Sequence, residues 1–295
     1  MKTADNSARA GNGGGSGGVA VPTPVRTAVA TAPAWPVRAA PHRKGWRFLV
    51  LCGCLALLLP RSAAAAPLSI SCPEMTPLTL VSVLVMKEAY DAIGQPFVLV
   101  RYTVPSSLSA ASRGAVDGAL HRIAGIERLA PDLRRVLVPI NMTEVMAMTA
   151  RPEIQIGDWY SLTAFRIGVQ RGFVLYERQT AGMDVIRLDR LDQLIAMLDR
   201  GRLDVVVADR LDLMAALRAP AYRDLPASLT QLDTAPLYHY LHKRHEALVP
   251  QLRVALEKMQ RSGRIRAIRM DVAARLERGD PLPALPVPLQ PAPAS

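Results

Sequence analysis

The chain predicts an α/β fold built on parallel sheets, and three observations lead there. Short β-rich runs recur, such as Phe97–Tyr102 (FVLVRY), Phe165–Val169 (FRIGV) and Leu203–Ala208 (LDVVVA). Segments with helical periodicity stand between them. In Asp189–Leu198, for example, Leu191, Leu194, Ile195 and Leu198 fall at i, i+3, i+4 and i+7. Leu203–Ala208 is mostly apolar rather than alternating, the pattern of a strand covered on both faces. Strands that alternate with helices imply a parallel sheet.

In chain order, Leu68–Cys72 reads as a short strand. Leu80–Ile93 reads as a helix with Val83, Met86, Tyr90 and Ile93 on one face, closed by Gly94. Phe97–Tyr102 is a strand, and Pro105–Arg113 is a short helix with a proline in its first turn. Val136–Pro139 and Glu144–Thr149 read as two separate strands. The pattern restarts with a helical turn at Asp158–Leu162, followed by the strand Phe165–Val169, the helix Val174–Thr180, the strand Asp184–Leu188 and the helix Asp189–Leu198. After Leu203–Ala208, Asp209 caps a helix over Leu211–Arg218. Ser228–Asp233 and Leu237–His242 read as two strands, and helices over Glu246–Gln260 and Arg264–Glu277 end the folded part. The tail from Asp280 to Ser295 alternates six prolines with Ala, Leu and Val. It reads as an extended, unpacked end, disordered over 278–295.

The compartment is read from His42 to Pro67. His42, Arg43, Lys44 and Arg47 precede an apolar run of 12 residues, Phe48–Leu59, which Pro60 breaks ahead of Ser62 and Ala63–Ala66. A basic start, a short apolar stretch and a small-residue exit describe a secretory signal peptide over 42–65, cut after Ala65. The run is too short for a spanning helix, which needs about 20 apolar residues. The expected location is therefore the periplasm. Residues 1–41, with GNGGGSGG at 11–18, have too few apolar groups for a core and read as a disordered extension.

Export changes the meaning of the charge. The whole chain carries 36 basic and 25 acidic residues, net +11. Residues 1–66 hold eight of the basic and one of the acidic ones, which leaves +4 on the exported part. This small excess does not suggest a nucleic-acid partner. Only Cys72 of the three cysteines lies beyond the apolar run, so no internal disulfide is expected. His239, His242 and His245 do not converge on one face of a strand or a helix, so no metal is expected, nor any other cofactor.

Several stretches carry a family resemblance. They are Gly168-Val169-Gln170-Arg171-Gly172, then Asp189–Leu198, then Gly201–Asp209 (GRLDVVVAD), with Val116-Asp117-Gly118 before them and Leu237–His242 after. Over roughly 68–275 the chain resembles the family 3 extracellular solute-binding proteins, the periplasmic receptors for amino acids and related solutes. The resemblance implies a two-lobed periplasmic-binding-protein-like (type II) α/β fold, with two crossing strands and a cleft. Lobe 1 would comprise 67–150 plus 238–277, and lobe 2 would comprise 151–237. The crossings would fall near Thr149–Arg151 and Ala235–Tyr238.

The resemblance also implies site residues. Asp209, after the strand Leu203–Ala208, would take a ligand ammonium, although a plain helix cap explains it equally. Gln170, Arg171 and Gly172 sit where backbone N–H groups can meet a carboxylate, although Phe173 replaces the usual hydroxyl residue. Asp117 and Arg122 follow the first lobe's short helix, and Arg122 could clamp a carboxylate. The Thr-x-x-Arg turn of amino-acid receptors is missing there, which puts an α-amino-acid ligand in doubt. Glu74 and Met75 stand where the family often places aromatic residues; Tyr102 and Tyr160 could replace them, although core packing explains both more readily. The expected protein is a monomer. It closes on a small polar solute, amino-acid-like ones included, and presents it to a membrane transporter permease or a sensor. Two rivals stand beside this reading. One is a small-molecule dehydratase using Glu74, Asp117 and Asp209. The other is a degenerate receptor kept for protein contacts.

Overall fold

Two long antiparallel strands organise the molecule. A computed structural model describes residues 65–293. The extension expected over 1–41 and the expected signal peptide, up to residue 64, lie outside the described residues. Strand β4 (Leu133–Thr149) pairs with β8 (Ser228–His242) from Leu133↔His242 to Thr149↔Ser228. The sequence reading divided each of them into two. Pro139 and Pro236 are the reason: proline has no N–H for the ladder and sits at irregularities. The pairing register shifts on both sides of Pro139, and the strand continues past it.

Each half of this ribbon recruits its own strands. The carboxyl half of β8 pairs with β3 (Gly118–Ile123). Beyond it lie β1 (Leu68–Cys72), β2 (Phe97–Arg101) and β9 (Leu289–Pro291), all parallel. The second half of β4 pairs with β7 (Val205–Asp209), which is followed by β5 (Ile167–Gln170) and β6 (Val185–Leu188). The hydrogen-bonded order is β6-β5-β7-β4-β8-β3-β1-β2-β9. The chain passes between lobes inside the long strands, around Asn141–Glu144 and Thr234–Leu237. The expected crossing at Thr149–Arg151 lies at and past the end of β4, because Val145–Met148 is already bonded to β7. The sequence reading assigned no element to β3. Gly118 admits it, since a Cβ there would lie 2.4 Å from the Tyr240 carbonyl oxygen.

Helices cover both faces of each parallel set, as apolar strands require. In lobe 1, α1 (Pro77–Ala92), α6 (Val249–Arg261) and α7 (Arg264–Arg278) bury Val83, Met86, Leu252, Leu256, Val272 and Leu276 on one face. Helix α2 (Val104–Ser112) packs Ala110 and Ala111 on the other. In lobe 2, α4 (Leu191–Asp199) buries Leu194, Ile195 and Leu198, and the short α3 (Val174–Gln179) buries Tyr176 on the opposite side. Helix α5 (Arg210–Leu217) follows β7, yet its Leu211 joins the core of lobe 1. No helix among the described residues is long and apolar enough to cross a membrane.

The tail departs from expectation. It was read as unpacked, yet Val287 is buried in the lobe 1 core, with Leu282, Leu285 and Leu289 packed against it. Residues Leu289–Pro291 pair with Leu99–Arg101 and cover the edge of β2. Prolines fit an edge strand because an edge leaves half its N–H groups unpaired. The residues between them are apolar, and apolar burial outweighs the expected disorder. Truncation after Asp280 is expected to destabilise the fold by about 3 kcal/mol or more, the scale of burying one to two aliphatic side chains. Urea unfolding of the truncated chain measures this, and an unchanged midpoint would rule out a structural tail.

Candidate functional site

The carboxyl ends of six parallel strands meet between the lobes, where open α/β sheets hold ligands. Pro73 and Glu74 follow β1, Tyr102–Val104 follow β2, and His121 to Ile123 end β3. From lobe 2 come Gly172 and Phe173 after β5, Asp189 and Arg190 after β6, and Asp212 in α5 after β7. Two cavities lie among these residues, of about 60 Å³ and about 190 Å³. Both are lined by Pro73, Leu78, Val104, His121 and Phe173.

The lobes touch across this cleft. Gly172 of lobe 2 has φ +83°, and a Cβ there would lie 2.9 Å from the Pro105 nitrogen of lobe 1. Only glycine tolerates both that φ and that approach. On another side Asp212 of α5 accepts a 3.0 Å bond from the Leu78 N–H, in the first turn of α1. The two lobes are thus in direct contact beside the cleft.

Arg122 is the cation of the smaller cavity. Its Nη1 donates to the His121 carbonyl (3.1 Å), and its Nη2 donates to Ser107 Oγ (2.7 Å) and the Val104 carbonyl (3.3 Å). All three acceptors are neutral. Burial lowers its pKa to about 10, so it remains charged at neutral pH. Beside it, burial and the Arg122 charge push His121 down to about 3, so the imidazole is neutral. His121 Nδ1 lies 2.7 Å from Ser82 Oγ, which also accepts from Asn141 Nδ2 (3.0 Å). Asn141 Oδ1 accepts from Arg269, which pairs with Glu144 at 2.8 Å. This chain of bonds runs from the cavity wall to the crossing.

The other expected site residues divide. Gln170 is buried and lines the larger cavity, with Glu74 on its exposed rim. Gly172 lines the smaller cavity, but its N–H donates to Glu177 Oε1 at 2.8 Å. Arg171 turns outward to Asp189 (3.0 Å) and the Arg187 carbonyl. Asp117 precedes β3, at the end of the sheet away from the cleft. There it accepts from Ser69 N and Oγ (both 2.7 Å), from Arg244 and from His245. Burial opposes its ionisation, but these bonds outweigh burial and hold its pKa below the ordinary range. His239 bonds Tyr90 and the Leu120 carbonyl, and no group of three His, Cys, Asp or Glu among the described residues could hold a metal ion. Tyr102 lines the larger cavity, whereas Tyr160 is 80% exposed.

Asp209 is 2% exposed and lines neither cavity. Its Oδ1 accepts from Leu211 N (2.8 Å), while its Oδ2 accepts from Thr143 Oγ1 (2.9 Å) and Glu144 N (3.0 Å). It caps α5 and ties β7 to the crossing. Asp212 lies one turn on. Burial, and for Asp212 the nearby charge of Asp209, raise both pKa values. Asp209 has three donors and holds the charge, so Asp212 holds the proton. The dehydratase trio of Glu74, Asp117 and Asp209 is therefore not brought together.

Sequence reasoning missed His121, Thr143, Phe173 as a wall residue, and Asp212. Phe173 stacks on Tyr176 with ring centroids 5.1 Å apart. Aromatic lining was sought in the loop after β1, but lobe 2 supplies it. Asp212 carried a signal, as a lone acid three residues past Asp209 on the apolar α5.

No family model matches the chain. An uncharacterized protein of Shewanella oneidensis is 24% identical over 173 residues, a match spanning 56% of this chain and 65% of that protein. Among solved structures, the GluR0 ligand-binding core in complex with L-glutamate aligns with TM-score 0.62 and 16% identity, over 70% of this chain and 98% of its own. An ancestral arginine-binding protein bound to arginine aligns at 0.59 and 16%, over 70% and 98%. A histidine kinase sensor domain with similarity to periplasmic binding proteins aligns at 0.61 and 12%, over 70% and 96%. The chain shares the two-lobed α/β fold of these structures.

A titration follows from Asp212. Its folded pKa stands above the unfolded value of about 3.9, so its contribution to stability is complete below pH 4 and falls as pH rises through its raised value. Asp212→Asn keeps an oxygen for the Leu78 N–H without the charge. It is expected to raise stability at pH 8 more than at pH 5, with denaturant midpoints at the two pH values as the measurement. Equal changes at both would show that Asp212 is not held protonated.

Proposed function

We propose that this protein is an exported, non-enzymatic binding protein. It closes its lobes on a small anionic solute and presents the closed form to a membrane partner. The observation that carries this reading is Arg122. It is a cation lining an interlobe cavity, and it forms no ion pair among the described residues. A fold keeps such a charge at a cost that a bound anion offsets. Closure is then a shift toward the state that both lobes and the solute stabilise together. The signal-peptide pattern supports a periplasmic location, and the amino-acid-binding neighbours support a solute of that size. Delivery to a transporter permease is the first reading, and the likeness to a kinase sensor domain favours a sensor as the second. Both fit a monomer.

The thiol and carboxyls give little support to catalysis. Burial raises the Cys72 thiol to about 12, so it stays protonated. Asp209 is fully bonded within the fold.

Thermal unfolding against a panel of small anions tests the reading. A solute at about 100 times its Kd adds about 2.7 kcal/mol of stability. Arg122→Gln is expected to abolish that gain. A broad panel with no shift, or a shift that survives Arg122→Gln, would overturn the proposal.

A further inference from the structure

We infer that the solute is a small carboxylate with an apolar body and no ammonium group. This rests on the solute-binding reading and narrows it. The smaller cavity supplies one cation. A guanidinium has five N–H groups, and Arg122 spends three on neutral oxygens. Nη2 spends both hydrogens, so no two-donor fork is free, and the Nε–H and one Nη1–H remain as single charge-assisted donors for carboxylate oxygens. The walls around it are apolar: Leu108, Ile126, Phe173, Val174 and Leu237.

What an α-amino acid needs besides this is an acceptor for its ammonium. Among the described residues no Asp or Glu lines that cavity. Thr143 and the neutral His121 line it and offer lone pairs, but neither carries the negative charge that pairs a buried ammonium. Asp209 is the residue to which the resemblance assigns the ammonium, and both its oxygens are occupied by Leu211, Thr143 and Glu144. In the adjoining cavity Asp212 receives Leu78 N, and Asp189 receives Arg171. Glu74 stands on the exposed rim and stays in water. An ammonium beside Arg122 would lose its hydration, gain only neutral acceptors and face a like charge. A hydrogen at the same carbon avoids all three.

The test pairs each acid with its amino counterpart on the full chain: isovalerate with valine, and isocaproate with leucine. Calorimetric titration is expected to give the acid at least about tenfold tighter binding than the amino acid. Isoamylamine, which keeps the ammonium and loses the carboxylate, is expected to give no heat. Valine or leucine binding as tightly as its acid would overturn this inference and leave the solute-binding reading in place. Failure of every acid and amino acid, together with no shift from any anion in the thermal panel, would overturn both.

Discussion

The continuous ladder between β4 and β8 is the constraint on which the rest of the molecule depends. It runs through both lobes, so each lobe's sheet is an extension of the same two strands. Parallel strands hang from its two halves, and between them the stretch Met142–Glu144 with Thr234–Pro236 has no third strand on either side. The same stretch is where side chains from elsewhere converge: Asp209 binds Thr143 and Glu144, and Arg269 binds Asn141, Met142 and Glu144. The crossing is thus held by charge-assisted bonds as well as by the backbone ladder.

Closure has its own contacts, and they are of two kinds. Gly172 against Pro105 is steric and places the β5–α3 turn on the first turn of α2. Leu211 in the lobe 1 core and Asp212 on the Leu78 N–H join α5 to α1. Between these contacts the cleft keeps a small apolar chamber with one guanidinium. The neutral His121 beside it adds no charge, and its bond to Ser82 leads through Asn141 to Arg269 at the crossing. One chain of hydrogen bonds therefore links the chamber wall to the crossing.

The fold was largely legible in the sequence, and the site only in part. Helix α4 was read from four leucine and isoleucine positions because one apolar stripe is a local property. Strands β4 and β8 were each broken in two, since proline weakens the local strand signal while the partner strand keeps the chain extended. The Pro-rich tail looked unpacked for the same reason: its partner, β2, lies far back in the chain. Arg122 was found as a possible clamp from its residue type. Nothing local showed that its acceptors would all be neutral.

The sequence by itself determined the alternation of elements, the position of α5 behind Asp209 and the apolar strands that demand helices on two faces. These follow from periodicity and capping, which involve residues within a few positions of one another. Tertiary structure alone decided where each carboxylate spends its oxygens. Asp117 meets Ser69 from 48 positions away and His245 from 128, and Asp209 meets Thr143 from 66. A carboxylate bonded by such distant donors leaves no local trace of them. For that reason two acids that looked alike as ligand groups became structural anchors, and the arginine with no acid beside it became the candidate site.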